Sequence, residues 1–277
     1  MKKILSVAAI AMALLTSCEK DIDIDYHKVA PLYVVEASIS NNGAMATVSR
    51  TINVQDTVWN EAVSNAVVTI VSDRGERFTL APDGQGRYSA PEAIGVEGCA
   101  YTIKVRVGDY ETEARSVMPK PVKVDSTFFY KVEMMKNDMI CYRVEVFSDG
   151  TPDNYYYAIL TRNGKPYKWQ ATDSRGFEGL GYTSLDMWCY YDSDQETNKD
   201  DIINDGDTIG IEVRRIDSTA YDYLLSLLLT EDSNSNPIPN FTNNALGYFS
   251  AYSSEKGAPT IYSRADVAPF QTRRSRR

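Results

Sequence analysis

Tyr101-Thr102-Ile103-Lys104-Val105-Arg106-Val107-Gly108-Asp109-Tyr110 alternates apolar and polar side chains and then turns. Successive side chains of an extended chain point to opposite sides, so Tyr101, Ile103, Val105 and Val107 share one face and Thr102, Lys104 and Arg106 the other. Period two with one polar face predicts an antiparallel sheet with one wet side. Gly108-Asp109 turns the chain back, because glycine supplies positive φ and aspartate closes local hydrogen bonds.

The same pattern recurs on the amino-terminal side. Leu32 to Ile39 opens the series, Ala46 and Val48 alternate with Thr47 and Ser49, and Val67 to Val71 is an apolar run ended by Asp73-Arg74-Gly75. Phe78 and Leu80 follow before the turn residues Pro82-Asp83-Gly84. Short strands separated by turn signals predict an all-β sandwich over residues 30–118. The order of Gly86-Arg87-Tyr88, Gly98-Cys99-Ala100-Tyr101 and Gly108-Asp109-Tyr110 is similar to immunoglobulin-like or prealbumin-like modules, folds that host unrelated functions.

Met118-Pro119-Lys120-Pro121 reads as a stiff joint, since each proline fixes φ and restrains its predecessor. A second β-rich module is expected over residues 122–270. Val122 to Val132 and the alternation of Ile140, Tyr142, Val144 and Val146 predict strands. Tyr155 to Arg162 runs into Asn163-Gly164, the strongest short hairpin signal, and Lys165 to Trp169 returns. Thr208 to Ile216 predicts another strand. Asp217 and Ser218 then cap a helix with Tyr221, Leu224, Leu225 and Leu228 at i, i+3, i+4 and i+7. The predicted fold is thus mostly β, two antiparallel sandwich modules in tandem, with one short amphipathic helix in the second.

Between Gln170 and Asp207 the periodicity lapses, and a long loop rich in aromatic and acidic residues is expected. Trp169, Tyr182, Trp188, Tyr190 and Tyr191 form the candidate ligand or partner surface, because aromatic faces bind sugars and apolar groups and concentrate at interfaces. Sandwich core is the other reading of the same aromatics. Asp192, Asp194 and Glu196 have the every-other spacing of calcium ligands. An EF-hand loop, however, needs glycine at its sixth position and a bidentate acid at its twelfth, where Thr197 and Ile203 stand. No metal site is expected.

The chain has 38 acidic and 29 basic residues and a net charge of −9 over 277 residues, which disfavours nucleic acid as a partner. Its single histidine, His27, precedes the first strand, so Ser-His-Asp or Cys-His catalysis would need the amino-terminal segment to fold back. No cofactor motif is present and no enzymatic activity is expected.

Lys2 and Lys3 precede an apolar run from Ile4 to Leu15, the layout of a secretory signal. The run is shorter than the roughly 20 apolar residues of a membrane span. Leu15-Thr16-Ser17-Cys18 resembles the lipobox of bacterial lipoproteins, which implies residues 1–17 as signal peptide and lipid on Cys18. Residues 18–29, with Glu19, Asp21, Asp23 and Asp25, then read as an acidic tether, and residues 271–277 as a basic tail. With Cys18 acylated, Cys99, Cys141 and Cys189 remain, an odd number in which at most one pair can close.

Ser17-Cys18-Glu19, Pro31-Leu32-Tyr33-Val34-Val35-Glu36, Gly86-Arg87-Tyr88, the strand-helix unit from Asp207 to Leu228, and Leu246-Gly247-Tyr248-Phe249-Ser250-Ala251 together resemble one family. It comprises Bacteroidetes outer-membrane lipoproteins with a domain of unknown function, often encoded beside TonB-dependent receptors. The resemblance implies a lipid-anchored protein of the outer membrane, exposed at the cell surface, that cooperates with such a receptor in ligand capture. It supplies no site residues. The alternative expectation is a fimbrillin-like structural subunit, which would assemble by strand exchange at an open edge.

Overall fold

The computed structural model describes residues 30–52, 61–134, 137–151, 153–189, 202–230 and 236–269. Cys18, the acidic tether, Tyr190, Tyr191, Asp192, Asp194, Glu196 and the basic tail lie outside the described residues.

The architecture is mostly β, built as antiparallel sandwich modules with one α-helix among the described residues. The hairpin predicted at Tyr101 is β8 (Ala100–Val107) and β9 (Tyr110–Val117), in register from Ala100↔Val117 to Val107↔Tyr110. With β4 (Val67–Ser72) and β5 (Arg77–Thr79) it forms a four-stranded sheet in the order β5-β4-β8-β9. Tyr101, Ile103, Val105 and Val107 are buried and Lys104 and Arg106 exposed, as the alternation requires.

A second four-stranded sheet has the order β14-β11-β10-β18, from β10 (Val124–Met134), β11 (Asn137–Phe147), β14 (Tyr182–Cys189) and β18 (Ala268–Pro269). β14 interrupts the loop expected between 170 and 207. Its inward residues Leu185, Met187 and Cys189 are buried while Tyr182, Asp186 and Trp188 face outward. The alternation is real, but bulky aromatics on the outer face mask it in a hydropathy reading.

Both small sheets pack on one face of a ten-stranded sheet. Its main path is β13 (Lys165–Asp173), β12 (Tyr155–Arg162), β15 (Thr208–Ile216), β16 (Leu246–Lys256), β1 (Tyr33–Ser40), β2 (Gly43–Arg50), β7 (Arg87–Ala90) and β6 (Ala81–Pro82). Two short strands, β3 (Glu61–Ala62) and β17 (Thr260–Ile261), pair with β2 and β15. At the centre β1 runs parallel to β16, Val34↔Leu246 through Ser40↔Tyr252, and antiparallel to β2. β1 is therefore hydrogen-bonded on both edges, with no edge vacant for a donated strand.

The large sheet crosses the joint expected at Met118 to Pro121. Phe249 and Ala251 of β16 belong to the same core as Val35, Ile39, Val68, Ile103 and Val105. The other core joins Tyr156, Ala158 and Leu160 of β12, and Ile211 and Val213 of β15, to Tyr142, Val144 and Leu185 of the second small sheet. The joint itself is tied down, since Ser253 Oγ donates to the Lys120 carbonyl and accepts from the Val122 N–H.

On the opposite face of the large sheet lies the helix α1 (Ser218–Leu229). Asp217 caps it by accepting the Ala220 N–H, so the carboxylate satisfies one of the amides a helix start leaves unpaired. Ala220, Tyr221, Tyr223 and Leu224 pack on Ile216, Ala171 and Tyr252. Leu228, expected in the buried stripe, is 38% exposed, because the stripe rotates toward Tyr223 to meet Tyr248 of β16.

Candidate functional site

A groove opens on the outer face of the large sheet where α1 stops covering it. Period two along each strand decides which side chains reach it. Glu36 and Ser38 of β1 alternate with core residues Val35, Ala37 and Ile39, Glu212 and Arg214 of β15 with Ile211 and Val213, and Ser250 and Tyr252 of β16 with Phe249 and Ala251. The groove has a chamber of about 160 Å³ beside the helix and a trough of about 720 Å³ leading away past Asn41, Ser89 and Lys256. Ser38, Met45, Arg214 and Tyr252 line both. The trough falls in the size range of small-molecule sites, roughly 300–1,000 Å³.

Arg214 stands at the junction. Its guanidinium lies 4.6 Å from the centroid of Tyr252 and 5.6 Å from that of Tyr157, and its Nε donates to Glu212 at 2.7 Å. Burial opposes its charge, yet Tyr252 and the Glu212 carboxylate outweigh that and hold its pKa above the ordinary value. Beside it Tyr223 and Tyr248 stack at 4.6 Å, and Tyr157 meets Trp169 edge-on at 5.6 Å. Burial pushes the Tyr223 hydroxyl up to about 12 and that of Tyr248 higher still, so both stay protonated at neutral pH.

Several polar groups here have no hydrogen-bond partner among the described residues. Ser250 is 1% exposed and its Oγ is unpaired, a costly state for a buried hydroxyl. The terminal nitrogens of Arg214 and the exposed Glu36 carboxylate are likewise without partners. Polar satisfaction is the rule in protein interiors, so the buried Ser250 hydroxyl in the lining of this concavity marks where a ligand or water is to be accommodated, with the Arg214 guanidinium and the solvent-facing Glu36 carboxylate in the same groove.

The aromatics expected to form one surface are separated. Trp169 lies on β13 against Tyr157, part of the helix-side cluster. Tyr182 and Trp188 occupy the outer face of the second small sheet, six residues and about 20 Å apart along one strand. Tyr182 packs edge-on against Phe177. Trp188, 39% exposed, approaches Tyr130, over which Arg143 stacks at 4.9 Å while forming a bidentate pair with Asp186 at 2.6 Å. Of the three described, Trp169 alone adjoins the groove, through its contact with Tyr157 in the lining. Among the described residues no group of three or more His, Cys, Asp or Glu side chains could hold a metal ion. Cys99, Cys141 and Cys189 are buried and unbonded to one another. No described helix is long and apolar enough to cross a membrane.

The model of the family described as Domain of unknown function (DUF4249) matches residues 19–258, and the chain belongs to that family. No curated protein matches. Among solved structures, a two fibronectin type-III domain segment from chicken tenascin is similar at 12% identity, with 84% of this chain and all of that chain covered and a TM-score of 0.22.

Proposed function

We propose that this DUF4249 protein is a lipid-anchored binding protein of the bacterial outer membrane that captures a ligand at the cell surface and cooperates with a TonB-dependent transporter. The groove carries the reading, as the place where one fold gathers a buried unpaired hydroxyl, open guanidinium donors and a free carboxylate. Such a set holds a ligand by hydrogen bonds, and the tyrosines around it supply apolar contact. The anchor is supported by Leu15-Thr16-Ser17-Cys18 and the short apolar run before it. Two or more acyl chains suffice for stable attachment.

The test has two arms. Intact mass of the mature protein should show acylation at Cys18 and cleavage before it. Affinity purification from envelopes in mild detergent should recover a TonB-dependent receptor, and deletion should slow uptake of the ligand. An unacylated chain, or one that recovers no receptor and whose loss leaves uptake unchanged, refutes the proposal.

A further inference from the structure

Resting on the groove as the ligand site, we infer that its ligand is a neutral carbohydrate, recognised through closely spaced hydroxyl groups. The unmet groups are of three kinds. Glu36 can only accept, the terminal nitrogens of Arg214 can only donate, and Ser250 Oγ can do both. The hydroxyls of Tyr157 and Tyr252 beside them also carry no hydrogen bond among the described residues. A ligand that satisfies all of these must bring donors and acceptors together at short spacing, and vicinal hydroxyls do so because each one both donates and accepts.

Charge narrows the choice. A phosphate or uronate would suit Arg214 but meet Glu36 and Glu212 as like charges, and an ammonium group that pairs with Glu36 can only donate, so it would leave the terminal nitrogens of Arg214 without an acceptor. Apolar ligands would leave the buried Ser250 hydroxyl unpaired. An extended peptide binds most readily by adding to a sheet edge, where main-chain groups are open; here the floor is a sheet face whose backbone is already paired within the ladder. Met45, 62% exposed on the wall shared by both chambers, offers an apolar surface to the C–H face of a pyranose.

The mature chain in detergent would be screened by glycan array and by thermal shift. The probes are neutral hexasaccharides (maltohexaose, cellohexaose, xylohexaose, mannohexaose), oligogalacturonate as the anionic sugar, and tri- to pentapeptide mixtures. At least one neutral glycan should raise the Tm. Calorimetry should then show Glu36→Gln and Ser250→Ala each weakening that glycan about tenfold, equivalent to about 1.4 kcal/mol. Ser250→Ala should melt no lower than wild type, since it removes an unsatisfied buried hydroxyl, so lost binding would not reflect lost folding.

Neutral-glycan binding that both variants leave intact would overturn the assignment to this groove. Peptide or oligogalacturonate binding that Ser250→Ala abolishes would overturn the ligand class while leaving the groove as the binding site. A chain that recovers a receptor yet binds no glycan on the array refutes the carbohydrate and leaves the envelope role standing.

Discussion

Replacing Asp217 by alanine tests whether the two halves of the chain are one cooperative body. The carboxylate works in two directions. Oδ1 accepts the Ala220 N–H at 3.0 Å and caps α1, while Oδ2 accepts Ser116 Oγ at 2.5 Å and the Val117 N–H at 3.1 Å from β9. Ser116 Oγ in turn accepts the Ala251 N–H at 2.7 Å, so one chain of hydrogen bonds links helix, small sheet and β16. Loss of an N-cap costs about 1 kcal/mol. Each hydrogen bond to a charged group is worth about 1.5–3 kcal/mol, and the Val117 contact, exposed to solvent, sits below that range. The sum for Asp217→Ala is about 3 kcal/mol. Asp217→Asn has a single acceptor oxygen, so it keeps either the cap to the Ala220 N–H or the contacts from Ser116 and Val117 and turns its N–H₂ toward the other, and should cost about 1–2 kcal/mol. Urea unfolding followed in parallel by circular dichroism and tryptophan fluorescence measures both. Coincident transitions are expected, since a shared sheet leaves no half to melt alone. A cost below about 1 kcal/mol for Asp217→Ala, or equal costs for the two variants, would refute the reasoning.

Other perturbations have outcomes equally open to measurement. Gly247→Ala should prevent folding or cost at least about 3 kcal/mol, because φ of +92° is a glycine conformation and an added Cβ would overlap the Val35 carbonyl oxygen, a combined strain and clash visible in a thermal melt. Burial pushes the thiols of Cys141 and Cys189 up to about 12 and about 11, so neither should react with iodoacetamide at pH 8 until urea unfolds the chain, as peptide mass mapping would report. Asp149 titrates well below the usual carboxylate range, because Asn154 and Thr151 donate to it. Its stabilisation is therefore full above the unfolded-state pKa of about 3.9 and lost as pH falls below that toward the folded value. Asp149→Asn should accordingly lower stability at pH 7 and flatten the acid limb of the stability profile between pH 4 and 2; an unchanged limb assigns acid unfolding to other groups.

Where periodicity was unambiguous the fold was legible in the sequence. The Tyr101 hairpin, the Asn163-Gly164 turn with φ of 53° and 77°, and the capped helix after Asp217 all carry local signals, and the structure repeats them. β14 was missed because Tyr182 and Trp188 gave its wet face an apolar reading. The pairing of β1 with β16 was illegible for a different reason: alternation tells which face a residue occupies, never which distant strand lies beside it. The groove was lost with it. Glu36, Ser38, Glu212 and Arg214 read singly as the polar side of a half-exposed strand, and only the order β15-β16-β1 brings them into one concavity.

Why that concavity exists follows from element lengths. Eight strands in the main path of the large sheet, spaced about 4.8 Å apart, make a face about 34 Å wide. One side is consumed by the two cores, and among the described residues α1 is the helix that packs on the other. Twelve residues at 1.5 Å make a helix about 18 Å long and about 10 Å across, too small to cover the face in any orientation. The uncovered strands must be wetted, which is why β1, β2, β7, β15 and β16 place Glu36, Ser38, Thr47, Ser89, Glu212 and Ser254 outward. At the step between helix and bare sheet, side chains too bulky to lie flat stand upright. Tyr157, Tyr248 and Tyr252 form that wall, and Arg214 is held between two of its rings. A helix two turns longer, aligned across the strands, would seal the step, and Ser250 and Arg214 would then need partners from the protein itself. Ending the helix at Leu229 leaves the Ser250 hydroxyl without a hydrogen-bond partner among the described residues, at the lining of an open groove.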